Sequence, residues 1–444
     1  MTNIAVIGMG QGGMTAAIKL AEAGYAVSVF EKEKQGNVSY PWKDDIRTEI
    51  FGLVGMPMPD ESIYCQKSKW LFVSPNEEHS LPVPPCPPME EVSISRRGLA
   101  DYFEKLATEA GCDMHFSTFV SSLVVKDDKV CGIVVNGKEQ FFDLVIDASG
   151  MNSPFRAQVP NKFGVQAKVL PTDVMYGYRA FFDKVDGATT REEGINSTLT
   201  LKHLGETGIS WCNLNEDGNV DVLIGRVGGL DDKQIESAIL ALRASNQILG
   251  THLISENKVE ICLRMSIARA VADGYVAIGD SAFMTMPLMG SGIESSMKAG
   301  VMFADYVTKH NVTDFAAKNT WGFYHDYMTQ YGADFAFVDV LKRWALALDP
   351  KVIDWVFGGG LIEKSDLALV TTDTSGNKPK IPAKSIAKKV FILLGHLPLV
   401  FKAVGCLARS LKAKNIAKKI PATYDEQKVA KWAKKYDRIL YKNN

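Results

Sequence analysis

The stretch from Ile4 to Glu31 restricts the fold more than any other: IAVI runs into GMGQGG, then into MTAAIKLAEAG, then into AVSVFEKE. A short, wholly apolar run rich in β-branched residues suits a strand buried on both faces of a parallel sheet. Gly8, Gly10 and Gly13 have the spacing of a turn that feeds a helix, and Gly24 stops that helix. A second strand ends at Glu31, 23 residues after Gly8. Each member has a physical task. Gly8 makes the tight turn, Gly10 lets a pyrophosphate approach the backbone, Gly13 lets the helix lie close on the strand, and Glu31 holds a ribose hydroxyl pair. Gln11 and Gly12 sit where the first helical amides lack partners and the dipole is positive, a place suited to phosphate. An acid rather than a base at position 31, next to Lys32, selects an unphosphorylated ribose, that of FAD or NAD.

The chain beyond this unit favours the flavin dinucleotide. An NAD domain would continue promptly with further strand–helix repeats, whereas residues 37–95 are rich in Pro, Trp and Met with little periodicity, and PVPPCPPME (82–90) reads as an irregular loop. A helix is expected from about Gly98 to Ala110, then strands near 113–125, 129–136 and 139–147. No second dinucleotide unit is expected, because Gly358, Gly359 and Gly360 lack a strand before them and an acid after them. Seven cysteines without a CxxC pair read as the reduced thiols of a cytoplasmic protein, not as a disulfide framework or a metal site. His79, His115 and His203 stand in no recognisable pairing. Apolar residues begin at Ile4 with no basic leader, so no secretory signal is expected.

Three segments resemble the FAD-dependent oxidoreductases of the geranylgeranyl reductase family, which shares a superfamily with the aromatic hydroxylase flavoproteins. They are GMGQGG with Glu31; SRRGL, where Arg96 with Leu99 fits an FAD-contacting arginine and Arg97 is the fallback; and VAIGDSAFMTMPLMGSGIESSMKAG (276–300). In the last, a strand ends at Gly279 and Asp280, and Pro287, Gly290, Gly292 and Ile293 form a turn into a helix. The resemblance implies that Asp280 takes a ribityl hydroxyl, that the helix start meets the flavin ring, and that Val120, Ala148 and Gly150 complete the cofactor site. Positive potential there would stabilise a reduced flavin anion. The run GISWCNLNEDGNVDVLIGRV (208–227) is similar to the paired strands of these reductases and reads as a hairpin on its own alternation. Where many of these reductases carry a cysteine near the flavin, WKDDIRTEIFGLVGMP has none; Arg47 and Glu49 stand there as catalytic candidates, and Tyr178 and Trp211 as substrate-contacting ones.

The implied fold class is α/β: a Rossmann-like FAD-binding domain from residues 1–160 and 262–310, with a β-sheet substrate domain (161–261) inserted. A helical region (311–383) and a C-terminal tail (384–444) complete the chain. The net charge of −1 conceals that tail, which holds 15 Lys/Arg against 3 Asp/Glu and leaves 35 against 48 elsewhere. Its apolar stretch 390–408, flanked by lysines, suits either a membrane interface or a helical cap packed on the body. Nucleic-acid binding is not expected, because the basic residues flanking that stretch (Lys388, Lys389, Arg409, Lys412, Lys414, Lys418 and Lys419) have no stacking aromatics interleaved. The expected activity is FAD-dependent reduction of a C=C bond in an apolar, lipid- or isoprenoid-like molecule, with electrons from NAD(P)H or ferredoxin. Aromatic monooxygenation and electron transfer at a membrane are the alternatives.

Overall fold

The computed structural model describes residues 2–83, 87–362 and 396–441. Strand β1 (Asn3–Ile7) lies at the heart of a six-stranded sheet, parallel to β2 (Ala26–Phe30) on one side and to Leu144–Asp147 on the other. Ile4, Ala5 and Val6 are fully buried, as an apolar run covered on both faces of a sheet must be. Helix α1 (Gln11–Glu22) connects β1 to β2 and packs on α5 (Ile293–Lys309). The approach is close because both helices offer glycine: a Cβ on Gly12 would stand 2.7 Å from the Ser296 carbonyl oxygen, and one on Gly300 would strike the Gly12 carbonyl. Helix α3 (Arg96–Glu109) starts where the Ser95 hydroxyl accepts from the Gly98 amide, and lays Leu99, Phe103 and Ala107 on the same sheet.

Residues 37–95 hold more regular structure than their weak periodicity suggests. Strand β3 (Lys43–Arg47) pairs with Glu91–Ser95, which also pairs with Tyr64–Gln66. Short α2 (Glu49–Leu53) comes directly after β3. Strands Trp70–Val73 and Ser80–Pro82 leave the dinucleotide unit altogether and extend a seven-stranded sheet otherwise built from residues 174–262. The sheet expected over 161–261 therefore takes its edge from residues 70–82, a long-range pairing with no local periodic signature. Within it, Gly208–Leu214 and Val220–Val227 form the hairpin, with Trp211 opposite Leu223.

The two faces of this sheet have different jobs. Tyr178, Ala180, Phe182, Val220, Val222 and Ile224 pack on Ile235, Ala238 and Leu242 of α4 (Asp232–Ser245), whose start is fixed by reciprocal bonds between Asp231 and Gln234. The opposite face carries Met175, Arg179, Trp211, Asp221 and Leu223 and looks into a cavity. Helices α6 (Ala317–Tyr327), α7 (Ala333–Leu346) and α8 (Pro350–Gly358) come after α5, and a π-helical turn joins the first two. A buried ionic cluster fixes α7: Arg343 bonds Asp173 and Asp339, while Lys342 lies 2.8 Å from Asp339. Burial alone would raise the Asp339 carboxyl, but Lys342 and Arg343 hold it below the usual carboxylate range.

The C-terminal residues that the structure describes are folded onto this body. Helix α9 (Leu397–Ala417) buries Cys406, Ser410, Ala413 and Ala417 beside α7, and α10 (Glu426–Tyr441) buries Val429, Trp432, Ala433 and Tyr436. Tyr436 donates to the Ser266 carbonyl at 3.0 Å, and the Trp321 indole donates to the Pro421 carbonyl at 2.7 Å. The rest of the expected apolar stretch, 390–395, lies outside the described residues, as do 363–389.

Candidate functional site

A cavity of about 1790 Å³ opens between the two sheets and is closed on a third side by α7 and α8. Ligand sites commonly occupy roughly 300–1,000 Å³, so this one has room for a dinucleotide and a second molecule together. Gly8, Gly10, Gln11, Gly12, Glu31, Lys32, Arg96, Val120, Ala148, Gly150, Gly279, Asp280, Gly290, Gly292 and Ile293 all line it. Two of the sequence candidates lie just behind the wall. A Cβ on Gly13 would collide with the Ala148 methyl, and Pro287 is buried within a turn closed by the Met286–Ser291 bridge.

The cradle is mostly backbone. Gly8 has φ +87° and donates its amide to the Phe30 carbonyl at 2.8 Å, so β1 leaves the sheet in a turn that a side chain would strain. A Cβ on Gly10 would stand 2.9 Å from the Ala148 carbonyl oxygen. No side chain caps α1 or α5, whose N-caps are Gly10 and Gly292. The Glu31 carboxylate accepts from the Met9 and Glu33 amides, both at 2.9 Å, which fixes it at the mouth of the turn. Asp280 accepts from the Thr285 hydroxyl at the foot of α5, and a Cβ on Gly292 would come within 3.3 Å of that carboxylate. Gly290 is needed for two further reasons, a φ of +65° and an Ile261 methyl 2.7 Å from any Cβ.

Two cations face the same cleft. Arg96 donates to Asp44 at 3.2 Å and stands 5.8 Å over the Tyr40 ring, and the buried Nε atoms of Arg96 and Arg97 have no hydrogen-bond partner. Unsatisfied guanidinium nitrogens beside uncapped helix starts are what a pyrophosphate would complete. These residues therefore fit FAD: the first helix start and Arg96 would hold the phosphates, Glu31 the ribose, Asp280 the ribityl chain and the α5 start the ring. Bound there, FAD supplies hydride chemistry.

Below the cradle lies a residue that sequence reasoning missed. Asp147, fully buried, accepts from Tyr275 Oη at 2.6 Å, Ser153 Oγ at 2.5 Å, and the amide and hydroxyl of Ser149. It sets the path of the backbone that carries Ala148 and Gly150. Its one sequence signal is an aspartate at the end of an apolar strand, in VIDASG.

Beyond the cradle the cavity continues as an apolar arm. Met175, Leu199, Trp211, Leu223, Ile261 and Leu263 come from the sheet, and Phe335, Leu346, Ile353 and Phe357 from the helices. Trp211 is thus in the wall, but Tyr178 is not. Its side chain points to the α4 face, where the hydroxyl donates to Glu256 and burial pushes its pKa above the usual tyrosine value. A period-2 strand puts neighbouring residues on opposite faces, and Arg179, not Tyr178, looks inward. Arg179 is clasped by Asp221 at 2.7 Å and Asp44 at 2.9 Å, with the rings of Trp42 and Trp211 about it. Burial pulls the guanidinium pKa down, yet the two carboxylates carry it above the ordinary value.

The two catalytic candidates separate. Arg47 lines the cavity, pairs with Glu91 at 3.4 Å and donates its amide to Glu294 at 2.9 Å. Glu49 is half exposed on α2, outside the cavity wall, with its carboxylate 3.8 Å from the Arg47 guanidinium. A different acid, Asp45, faces the cavity beside Ser93 and Lys67. Burial raises its carboxyl pKa against the pull of Lys67, favouring the proton-bearing form.

Comparison with known proteins agrees with this geometry. A model described as an FAD binding domain matches residues 3–41. A digeranylgeranylglycerophospholipid reductase of Sulfolobus acidocaldarius is 21% identical, covering 100% of this chain and 98% of the relative. One of Methanopyrus kandleri is 23% identical over 67% of this chain and 74% of the relative. Among solved structures, a geranylgeranyl bacteriochlorophyll reductase-like protein of Thermoplasma acidophilum superposes with a TM-score of 0.72 at 16% identity, covering 92% of this chain and all of that one. A flavin-dependent brominase superposes at a TM-score of 0.59 and 16% identity, covering 98% of this chain and 100% of that one; at such identities the likeness is one of fold. With its full-length relatives, its fold and a cradle that fits FAD, the chain is an FAD-dependent oxidoreductase similar to the digeranylgeranylglycerophospholipid reductases.

Proposed function

We propose that this oxidoreductase reduces C=C bonds in an isoprenoid-like lipid lying in the apolar arm. The observation that carries this reading is the continuity of the cavity: one space runs from the glycine cradle into a wall of Met175, Leu199, Leu223, Leu263 and Phe357. Relatives named for reducing a digeranylgeranyl lipid support it. An elongated apolar chain would displace water along the arm, and Trp211 and Arg179 would mark where the wall turns polar. The hydrogen that arrives as a proton needs a donor, and Asp45 is the cavity-facing acid whose burial favours the proton-bearing state. Arg47, anchored through Glu91 and Glu294, would orient the polar end of the substrate. Electrons come from transiently bound NAD(P)H or from a protein donor such as a ferredoxin.

The test is anaerobic. Protein reduced with dithionite is mixed with a phospholipid bearing geranylgeranyl chains, and the lipid is weighed by mass spectrometry. Gain of two hydrogens per reduced bond, with return of the oxidised flavin spectrum, is the expected result. An unchanged lipid, together with oxygenated product from an aromatic substrate in air, would replace this reading with monooxygenation. Replacement of Asp45 by Asn should slow lipid turnover by about 10²-fold or more, the scale of a lost general acid, with FAD content unchanged.

A further inference from the structure

Helix α9 is seated on the protein by one face, yet its opposite face is apolar and bare. Leu397, Phe401, Val404 and Leu411 recur at helical spacing along the outward side and are exposed by 50%, 73%, 60% and 49%. Singly exposed apolar residues are ordinary, but a contiguous stripe of them marks an interaction surface. We propose that this stripe docks on an anionic lipid bilayer, with α9 lying along the surface beside the apolar arm.

Three observations select the bilayer as occupant. No acidic residue lies between His396 and Tyr424, whereas Lys402, Arg409, Lys412, Lys414, Lys418 and Lys419 do. That balance suits anionic headgroups, and two copies of the chain placed stripe to stripe would set like charges against each other. Among the described residues no helix is long and apolar enough to cross a membrane, so the geometry is that of a helix lying in the interface. The stripe also begins next to the arm: the His396 ring lies tilted against Trp355 of α8, with centroids 3.9 Å apart, and Ile353 and Phe357 of the same helix line the cavity. A lipid leaving the bilayer would meet the α8 wall first. This link to the arm rests on the lipid-reductase reading; the surface itself does not.

The experiment is co-sedimentation of the full-length FAD-loaded protein with vesicles of phosphatidylcholine alone or mixed with phosphatidylglycerol. The protein should pellet with the mixed vesicles. Phe401→Glu/Val404→Glu should weaken that binding by about tenfold or more, since burial of the apolar face and attraction to anionic lipid set interfacial affinity together. Both side chains are exposed, so FAD content and melting temperature should match the parent. Lys412→Glu/Lys418→Glu should weaken binding to the anionic vesicles only. A parent protein that ignores anionic vesicles, or a Phe401→Glu/Val404→Glu variant that binds them equally, overturns the proposal. So does a change from dimer to monomer in that variant by light scattering, which would make a second copy the occupant. Because no turnover is read, the two ideas fail separately. Vesicle binding without reduction of any prenyl lipid rejects the reductase reading, and reduction of detergent-dispersed lipid without vesicle binding rejects the docking surface.

Discussion

The dinucleotide cradle and the apolar arm share one cavity but are built by opposite means. The cradle is backbone: Gly8, Gly10, Gly290 and Gly292 present amides and carbonyls to the ligand space, with few side chains reaching in. The arm is side chain, gathered from residues 70–82, 174–262 and 335–357. A backbone site tolerates almost no substitution, because any Cβ occupies ligand or carbonyl space. A side-chain wall tolerates volume-conserving change and fails mainly where it carries charge.

The largest test of that contrast is at a buried cation of the arm, Arg179. Arg179→Met leaves Asp221 buried and unpaired, which should cost about 3–5 kcal/mol of stability, measured by urea unfolding of the FAD-loaded protein. Arg179→Met/Asp221→Asn should recover much of the loss. If the single variant is as stable as the parent, the arm's charge is not what makes it fragile.

Second comes His203, which supports the arm from behind. It is 1% exposed, with Nδ1 3.0 Å from Ser210 Oγ, and burial lowers its pKa from 6.5 to about 4. The folded state therefore binds this proton more weakly than the unfolded state does. Stability is full above pH 6.5 and falls as the pH drops through the window toward 4, by about 3 kcal/mol in all. His203→Gln should flatten that part of the stability–pH curve. A variant curve parallel to the parent's would assign the acid limb to other groups.

At the cradle, Gly10→Ala places its methyl against the Ala148 carbonyl and should weaken FAD by about 1–3 kcal/mol, as overpacking does. Equilibrium titration of the apoprotein measures it. Trp211→Leu, in the arm, should leave FAD affinity unchanged and raise KM for the lipid. The two results together separate the regions; equal loss of FAD in both would merge them. The smallest effect is expected at Tyr178→Phe, which removes a hydrogen bond on the α4 face at a cost of about 1 kcal/mol, without altering turnover. A change in substrate KM there would contradict the assignment of the two sheet faces.

The same contrast explains which parts of the molecule are legible in its sequence. Strand, glycines, helix and acid occur within 28 consecutive residues, so their spacing states their geometry, and the run from Gly279 to Ile293 has the same local character. Asp147 carries no comparable signal because its importance is in its partners, Ser149, Ser153 and the distant Tyr275. Asp45 and Glu49 are neighbours in sequence with similar chemistry, and only the packing of β3 against the strand Glu91–Ser95 turns the first toward the cavity.

From the sequence alone comes the dinucleotide unit, because tight turns, positive φ and free helix amides depend on residues adjacent in the chain. The alternation of Ile209 and Trp211, and of Val220, Val222 and Ile224, likewise defines two faces. Which face is covered by α4 and which looks on the cavity, with Tyr178 turned out and Trp211 turned in, belongs to the tertiary structure. So does the union of residues 70–82 with a sheet more than a hundred residues away, and the seating of α9 with an apolar stripe outward. A period of two or of 3.6 marks a surface for burial, but only contact between distant segments decides what buries it.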